Sequence, residues 1–277
     1  MSQLNIFCIS LNSNHLNLIK KIGYIPVGLG NDQFNENWTQ DKKGENICDK
    51  NPYYGEYTFH YWLWKNNKID LKSWIGFCQY RKFWGKLGVE KNNFEKSKIR
   101  DFNEFNSLIL KEIPEKYQNT ETILTENFYV NQFRFSKFLK HNFKKMLRNP
   151  ELIFNKNKRT IKFHFDMWHG EGNLDKAIKK LPLKERNDFE YFVNTEVSFN
   201  SQNMFICRNK NILFSYYESV FPWLYECEKI FGLKNTKNYG LKRIYGFLAE
   251  RYCSYWFKKY TKFNTLPYLF KDLSDFL

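Results

Sequence analysis

Five short runs rich in β-branched and aromatic residues punctuate the chain: Leu4 to Ser10, Tyr24 to Leu29, Ser73 to Gln79, Glu121 to Thr125 and Asn203 to Arg208. Each has the length and composition of a buried strand. Helical patterns separate most of them. Asn51-Pro52 offers an N-cap and first turn, and Tyr54, Tyr57, Thr58, Tyr61, Trp62 and Lys65 then fall on one stripe, which predicts a helix. Two longer helical patterns cover about 210 to 231, interrupted by Pro222, and about 240 to 260, where Ile244, Phe247, Leu248, Arg251, Tyr252 and Tyr255 recur at helical spacing. Strands mixed with crossing helices predict an α/β sheet. No repeat, Pro-rich linker or Gly/Ser spacer divides the 277 residues, so one domain spanning 1–277 is expected.

Composition narrows the function classes. With 42% apolar and 19% aromatic residues the chain is neither disordered nor of low complexity. No apolar run approaches the ~20 residues that span a bilayer. The N-terminal MSQLNIFCIS has no basic stretch before its short apolar run, so neither a membrane span nor a signal peptide is expected. The six cysteines, at 8, 48, 78, 207, 227 and 253, show no CxxC or paired spacing, which favours reduced thiols and a cytoplasmic location. The formal charge of +15 carries 35 Lys against 9 Arg, with 32 Asn and 2 Ala, so part of it reflects an AT-rich coding bias. The remaining charge allows nucleic acid, anionic lipid or phosphorylated small molecules as partners.

The region Arg134 to Lys162 holds ten Lys or Arg against the single acid Glu151. Phe135, Phe138, Leu139, Phe143, Met146 and Leu147 keep a 3–4 spacing among Lys137, Lys140, Lys144, Lys145 and Arg148, which predicts a basic amphipathic helical insertion at about 133–162. Its stripe either packs on the domain or lies in an anionic membrane surface. His15, His60, His141, His164 and His169 show no metal-ligand spacing, and Gly28-Leu29-Gly30 is a lone GxG.

The segment Asn51 to Asn66 followed by Gly76-Phe77-Cys78-Gln79-Tyr80-Arg81-Lys82-Phe83 reads as a capped helix, a loop and a buried strand ending in cations. Side chains at the carboxyl end of a central strand lie where α/β sheets bind ligands, and an Arg fork suits phosphate or carboxylate. Arg81 and Lys82 either serve that purpose or begin a solvated loop. Glu56, among Tyr and Trp, meets solvent, pairs with a cation such as Arg81, or serves a ligand. NPYYGEYTFHYWLWKN and WIGFCQYRKFWG together resemble the paired motifs N-P-Y-Y-x-E-x-T-x-x-Y-W-x-W-K-N and G-L-x-H-Y-R-R-Y-F of a bacterial family long labelled a domain of unknown function, grouped with capsular and exopolysaccharide glycosyltransferases of GT-A type. The likeness extends to Asn203-Met204-Phe205-Ile206, to a helix carrying Trp223, Leu224, Glu226 and Glu228, and to Arg243 through Arg251; HGEGNLD at 169–175 is a weaker match. Gln79 departs from the family's usual His, and Asn173 from its usual Asp.

The resemblance implies a GT-A-like mixed sheet flanked by helices. It also implies transfer of a hexose-type sugar, pyranose or furanose, from a nucleoside-diphosphate donor, UDP first, to a lipid-linked or oligosaccharide acceptor of capsule, exopolysaccharide or lipooligosaccharide. The work would take place at the inner face of the cytoplasmic membrane. Donor contacts are expected from Glu56, Gln79, Tyr80, Arg81, Lys82 and Asn203. None of the ten Asp forms the Asp-x-Asp pair that holds a divalent metal in many such enzymes, and Gln79 to Lys82 stand at the expected place, so a metal-independent reaction without cofactor is expected, the alternative being a divalent metal held by one carboxylate with the diphosphate. For a base acting on the acceptor hydroxyl, Asp166, His169, Glu171 and Asp175 cluster in FDMWHGEGNLD, read as a loop-to-helix turn, with Glu196 as second choice; helix capping and solvation are the alternative roles. Glu250 and Arg251 are expected to form a buried structural pair, and Trp62, Trp64, Trp84 and Trp168 either stack on sugars or fill the core. A nucleic-acid-binding protein, or a non-catalytic member that docks on membranes, are the competing readings; no RNP, KH or helix-turn-helix signature supports the former.

Overall fold

A computed structural model describes residues 3–68, 73–89, 99–132, 151–234 and 236–277. The expected basic helix lies mainly outside these residues; its tail is a short helix, Glu151–Phe154, and a 3-10 turn, Lys156–Lys158.

Strand β1 (Leu4–Ser10) runs in the middle of the sheet, and its side chains alternate between two cores. Phe7 and Ile9 join one apolar cluster with Phe77, Leu124 and Phe205, while Ile6 and Cys8 join another with Trp74, Cys78 and Ile123. A strand buried on both faces needs a near-continuous apolar run, which FCIS and its neighbours supply. On either side of β1 lie β2 (Ile25–Gly28) and β4 (Trp74–Gln79), both parallel, with Phe7 opposite Ile25 and Phe77. β3 (Thr39–Gln40) extends the edge beyond β2. Beyond β4 come β9 (Phe205–Cys207), antiparallel, then β6 (Thr122–Thr125) and β10 (Phe263–Leu266). β5 (Lys82–Trp84) turns back from β4 and pairs with β11 (Tyr268–Phe270). A separate ribbon joins β7 (Asn127–Tyr129) to β8 (Ser198–Asn200).

The first cluster is closed by helices Tyr57–Asn66, Lys210–Phe231 and Ile244–Tyr260; the second by Leu16–Lys21 and Phe102–Leu108. All six cysteines are unpaired. Among the described residues no helix is long and apolar enough to cross a membrane.

Several sequence expectations are corrected. The helix expected across 51–66 is two, Asn51–Tyr54 and Tyr57–Asn66, broken where Gly55 takes φ +60°. Asn51 does not cap it: a 3-10 turn, Cys48–Lys50, leads in, and the Asn51 amide instead donates to the Gly55 carbonyl across the break, 3.0 Å away. Pro222 does not interrupt its helix, which runs unbroken through it at the cost of one backbone donor. The pattern at 240–260 divides at Arg243 into Tyr239–Lys242 and Ile244–Tyr260. Asp166 to His169 form not a loop but the last turn of helix Ile161–His169, and the glycine turn follows it.

Candidate active site

The carboxyl ends of β1, β2 and β4 open onto a cleft with two connected parts, of about 350 and 120 Å³. Ile9, Leu29 and Gln79 belong to the strand ends, and Tyr239 and Arg243 close the opposite side. Glu56, Gln79, Lys82, Tyr239 and Arg243 border both parts. Such a position, outside the carboxyl ends of parallel strands, is where open α/β sheets hold ligands.

Glu56 organises the cleft. The break at Gly55 turns its side chain inward, where Oε1 accepts from Asn203 Nδ2 at 2.8 Å and from Gln79 Nε2 at 3.2 Å, and Oε2 accepts from Arg243 Nη2 at 3.3 Å. Gly55 is required twice over: its backbone angles suit glycine, and a Cβ there would overlap the Arg243 guanidinium. Asn203 is itself held in a left-handed conformation, with Oδ1 accepting from the Tyr57 hydroxyl and Nδ2 also donating to the Gly246 carbonyl. Gln202, left-handed as well, directs its backbone N–H at Glu250 Oε1, 2.6 Å away. Glu250 Oε2 pairs with Arg251 Nη1 at 2.5 Å. Arg251 is buried, its guanidinium 4.6 Å from the Phe199 ring centre, so the acid keeps one face to the cleft and the cation none.

Lys82 differs from the other cations. Arg81 pairs with Asp272 at 2.7 Å, is 59% exposed and lies over the Tyr80 ring; Arg243 pairs with Glu56. Lys82 makes no ion pair with any described residue. Burial lowers its pKa, opposed by the Glu250 and Glu56 carboxylates and reinforced by Arg243 and Arg81. A partly desolvated ammonium facing a polar cleft is stabilised by an anion placed beside it.

The base candidates taken from FDMWHGEGNLD are not gathered here: among the described residues, neither part of the cleft is bordered by Asp166, His169, Glu171, Asp175 or Glu196. Asp166 and Asp175 both pair with Lys162, and Asp166 accepts from the Gly172 amide. His169 is buried behind the wall, stacked on Phe247 at 4.0 Å and donating Nδ1–H to the Gly240 carbonyl; burial, with the charge of Arg251, pushes its pKa down to about 2. Glu171 and Glu196 are exposed, and Glu196 ends helix Leu183–Thr195. Of the tryptophans, Trp62 and Trp84 are buried and Trp64 stacks on Phe221, whereas Trp168 is 43% exposed. Sequence reasoning missed Gln202, Tyr239 and Arg243 as cleft residues and read Glu250 as structural only. The signal available was Tyr239 four residues before Arg243, one helical turn, which brings the phenol to 3.1 Å from Arg243 Nη1.

Among the described residues no three His, Cys, Asp or Glu converge as metal ligands. Glu56 and Glu250, the carboxylates of the cleft, each accept from protein donors on both oxygens.

A mixed α/β sheet flanked by helices, with its cleft at the carboxyl ends of β1, β2 and β4, defines a GT-A-like fold. The chain belongs to the family described as a domain of unknown function, DUF4422, whose model matches residues 9–262. A solved structure described as an apo WbbM bifunctional glycosyltransferase is similar to it, with a TM-score of 0.59 at 20% identity over 98% of this chain. That likeness is one of fold, and this chain spans 45% of the length of that one. No curated protein matches the sequence.

Proposed function

We propose that this chain is a glycosyltransferase that moves a hexose-type sugar from a nucleoside-diphosphate donor, UDP in the first instance, to a glycan acceptor in surface-polysaccharide synthesis. The observation that carries the reading is Lys82, a half-buried cation that forms no ion pair with any described residue, in a cleft at the strand ends. Transfer breaks the bond from the anomeric carbon to the diphosphate oxygen, which leaves with the electron pair. Lys82, helped by Arg243, neutralises that charge where water is partly excluded. Arg81, exposed and paired, serves the outer phosphate or ribose. Glu56, held by three donors, accepts from sugar hydroxyls. In an inverting transfer the acceptor hydroxyl oxygen bonds to the anomeric carbon and yields its proton to Glu250, the carboxylate beside the Gln202 turn. No step requires a metal.

A thermal-shift screen and slow-hydrolysis assay across UDP-, GDP- and CMP-sugars tests this. One nucleoside-diphosphate sugar should raise the melting temperature and be hydrolysed slowly. If none does either, the reading fails.

A further inference from the structure

A larger cavity, of about 900 Å³, adjoins the cleft. Its aromatic walls are Phe128 and Tyr129 of β7, His164 and Trp168 of helix Ile161–His169, and Tyr268 and Phe270 of β11. Phe270 is shared: it also borders the 350 Å³ part of the cleft, stands opposite Lys82 in the β5–β11 pairing, and has the Lys82 ammonium 5.6 Å from its ring centre. The other junction is the β7–β8 ribbon, in which Phe128 faces Phe199. β8 leads into the turn at Ser201 to Asn203, whose Gln202 amide holds Glu250. The groove therefore shares Phe270 with the part of the cleft that Lys82 borders, and the β7–β8 ribbon links it along the chain to the turn that holds Glu250.

We propose that this groove is the acceptor subsite and that its occupant is an oligosaccharide, an inference that rests on the donor reading of the cleft. The lining chooses the chemistry. Flat aromatic faces alternate with Asn127, Gln132 and Glu126, and among the ten described residues that border the cavity Val130 is the only aliphatic one. An acyl chain is matched by aliphatic walls; a sugar ring, with an apolar C–H face and a rim of hydroxyls, is matched by aromatic faces and amide or carboxylate edges. Phe128 and Tyr129 are each 41% exposed, so the stacking surface is open to a ligand. The volume lies within the ~300–1,000 Å³ of pockets that enclose small ligands, and the 120 Å³ recess suits no more than the reacting end.

The test applies the intact protein to an array of bacterial surface oligosaccharides, with neutral phosphatidylcholine vesicles as competitor and UDP-sugar binding measured separately. The wild type should retain a subset of glycans. Tyr129→Ala and Trp168→Ala should each weaken retention at least tenfold, while donor affinity and slow donor hydrolysis stay within twofold. Tyr129 lies on an exposed strand, so its variant tests the groove should Trp168→Ala not fold. Retention of no glycan, retention unchanged in both variants, or displacement of bound glycan by the vesicles overturns the proposal. A wild type that binds glycan through these residues but no nucleotide sugar upholds the groove and overturns the donor reading instead.

Discussion

Replacing Gly55 by Ala should weaken both the fold and the cleft, for two separable reasons. Gly55 sits at φ +60°, ψ −134°, a region that L-residues enter at a cost of roughly 1–3 kcal/mol. The new Cβ would also stand 2.9 Å from Arg243 Cζ and overlap a terminal nitrogen. Arg243 is long enough to swing away, and in doing so it gives up Glu56 Oε2. That ion pair, with side chains 28% and 12% exposed, is worth about 1 kcal/mol or less. The sum is about 1–4 kcal/mol, and at ~2–4 °C per kcal/mol the melting temperature should drop by about 2–16 °C. With the guanidinium out of the cleft, turnover should fall about 30-fold, the equivalent of ~2 kcal/mol of transition-state stabilisation. A double-mutant cycle isolates the clash: in an Arg243→Ala background Gly55→Ala should cost only the backbone part, about 1 kcal/mol less. A variant that melts and turns over like the wild type, or that suffers the same penalty in both backgrounds, would refute the argument.

Lys82→Met should cut kcat/KM by about 30-fold or more while leaving the melting temperature at pH 7 equal or higher, because burial disfavours the ammonium and its removal relieves that; a large loss of stability would show that Lys82 is structural. His60, His164 and His169 have pKa values pushed down by burial to about 3, 3 and 2, so below pH 6.5 the unfolded chain takes up protons that the fold refuses. Stability is complete above pH 6.5 and should decline by about 4 kcal/mol between pH 7 and 5.5, at ~1.4 kcal/mol per histidine per unit; urea midpoints that stay flat over that range would contradict the assignment. Turnover should survive EDTA, since among the described residues no three His, Cys, Asp or Glu converge as metal ligands and Lys82 and Arg243 stand ready to neutralise the diphosphate; abolition by EDTA with recovery in Mn²⁺ would disprove this. Cosedimentation with anionic liposomes at low salt is expected from the basic segment and should vanish when Lys137, Lys140, Lys144 and Lys145 become Gln; binding unaffected by those changes would remove the membrane role.

The central strands were legible because a strand covered on both faces must be apolar throughout, as in Ile6 to Ile9 or Ile75 to Cys78. The edge strands were not: Thr39–Gln40, Asn127–Tyr129 and Tyr268–Phe270 are two or three residues long and take their pairing from partners distant in sequence. The same distance separates the site residues. Glu56, Gln79, Lys82 and Asn203 announce themselves at strand ends or in an aromatic helix, whereas Arg243 reaches Glu56 across 187 positions. The acid-rich FDMWHGEGNLD misled for a local reason: glycines and carboxylates resemble a site, but Lys162, one turn before Asp166, takes up both Asp166 and Asp175.

Gln79 and Asn173, where the resemblance implies His and Asp, acquire a physical meaning from their partners. Gln79 donates to the Glu56 carboxylate at 3.2 Å and to the Gln202 carbonyl at 3.3 Å. A primary amide has two N–H groups for two acceptors and stays neutral; a neutral imidazole has one. Glutamine here ties the end of β4 to both the Glu56 hub and the turn that holds Glu250, adding no charge beside Lys82. Asn173 likewise donates, to the His169 carbonyl at 2.8 Å, an acceptor left open by the end of helix Ile161–His169. An ionised aspartate could not make that bond. Each of the two amides thus supplies an N–H to a fixed oxygen. Both amides have their partners within the fold, and Lys82, Glu250 and Arg243 are left to decide whether the cleft turns over.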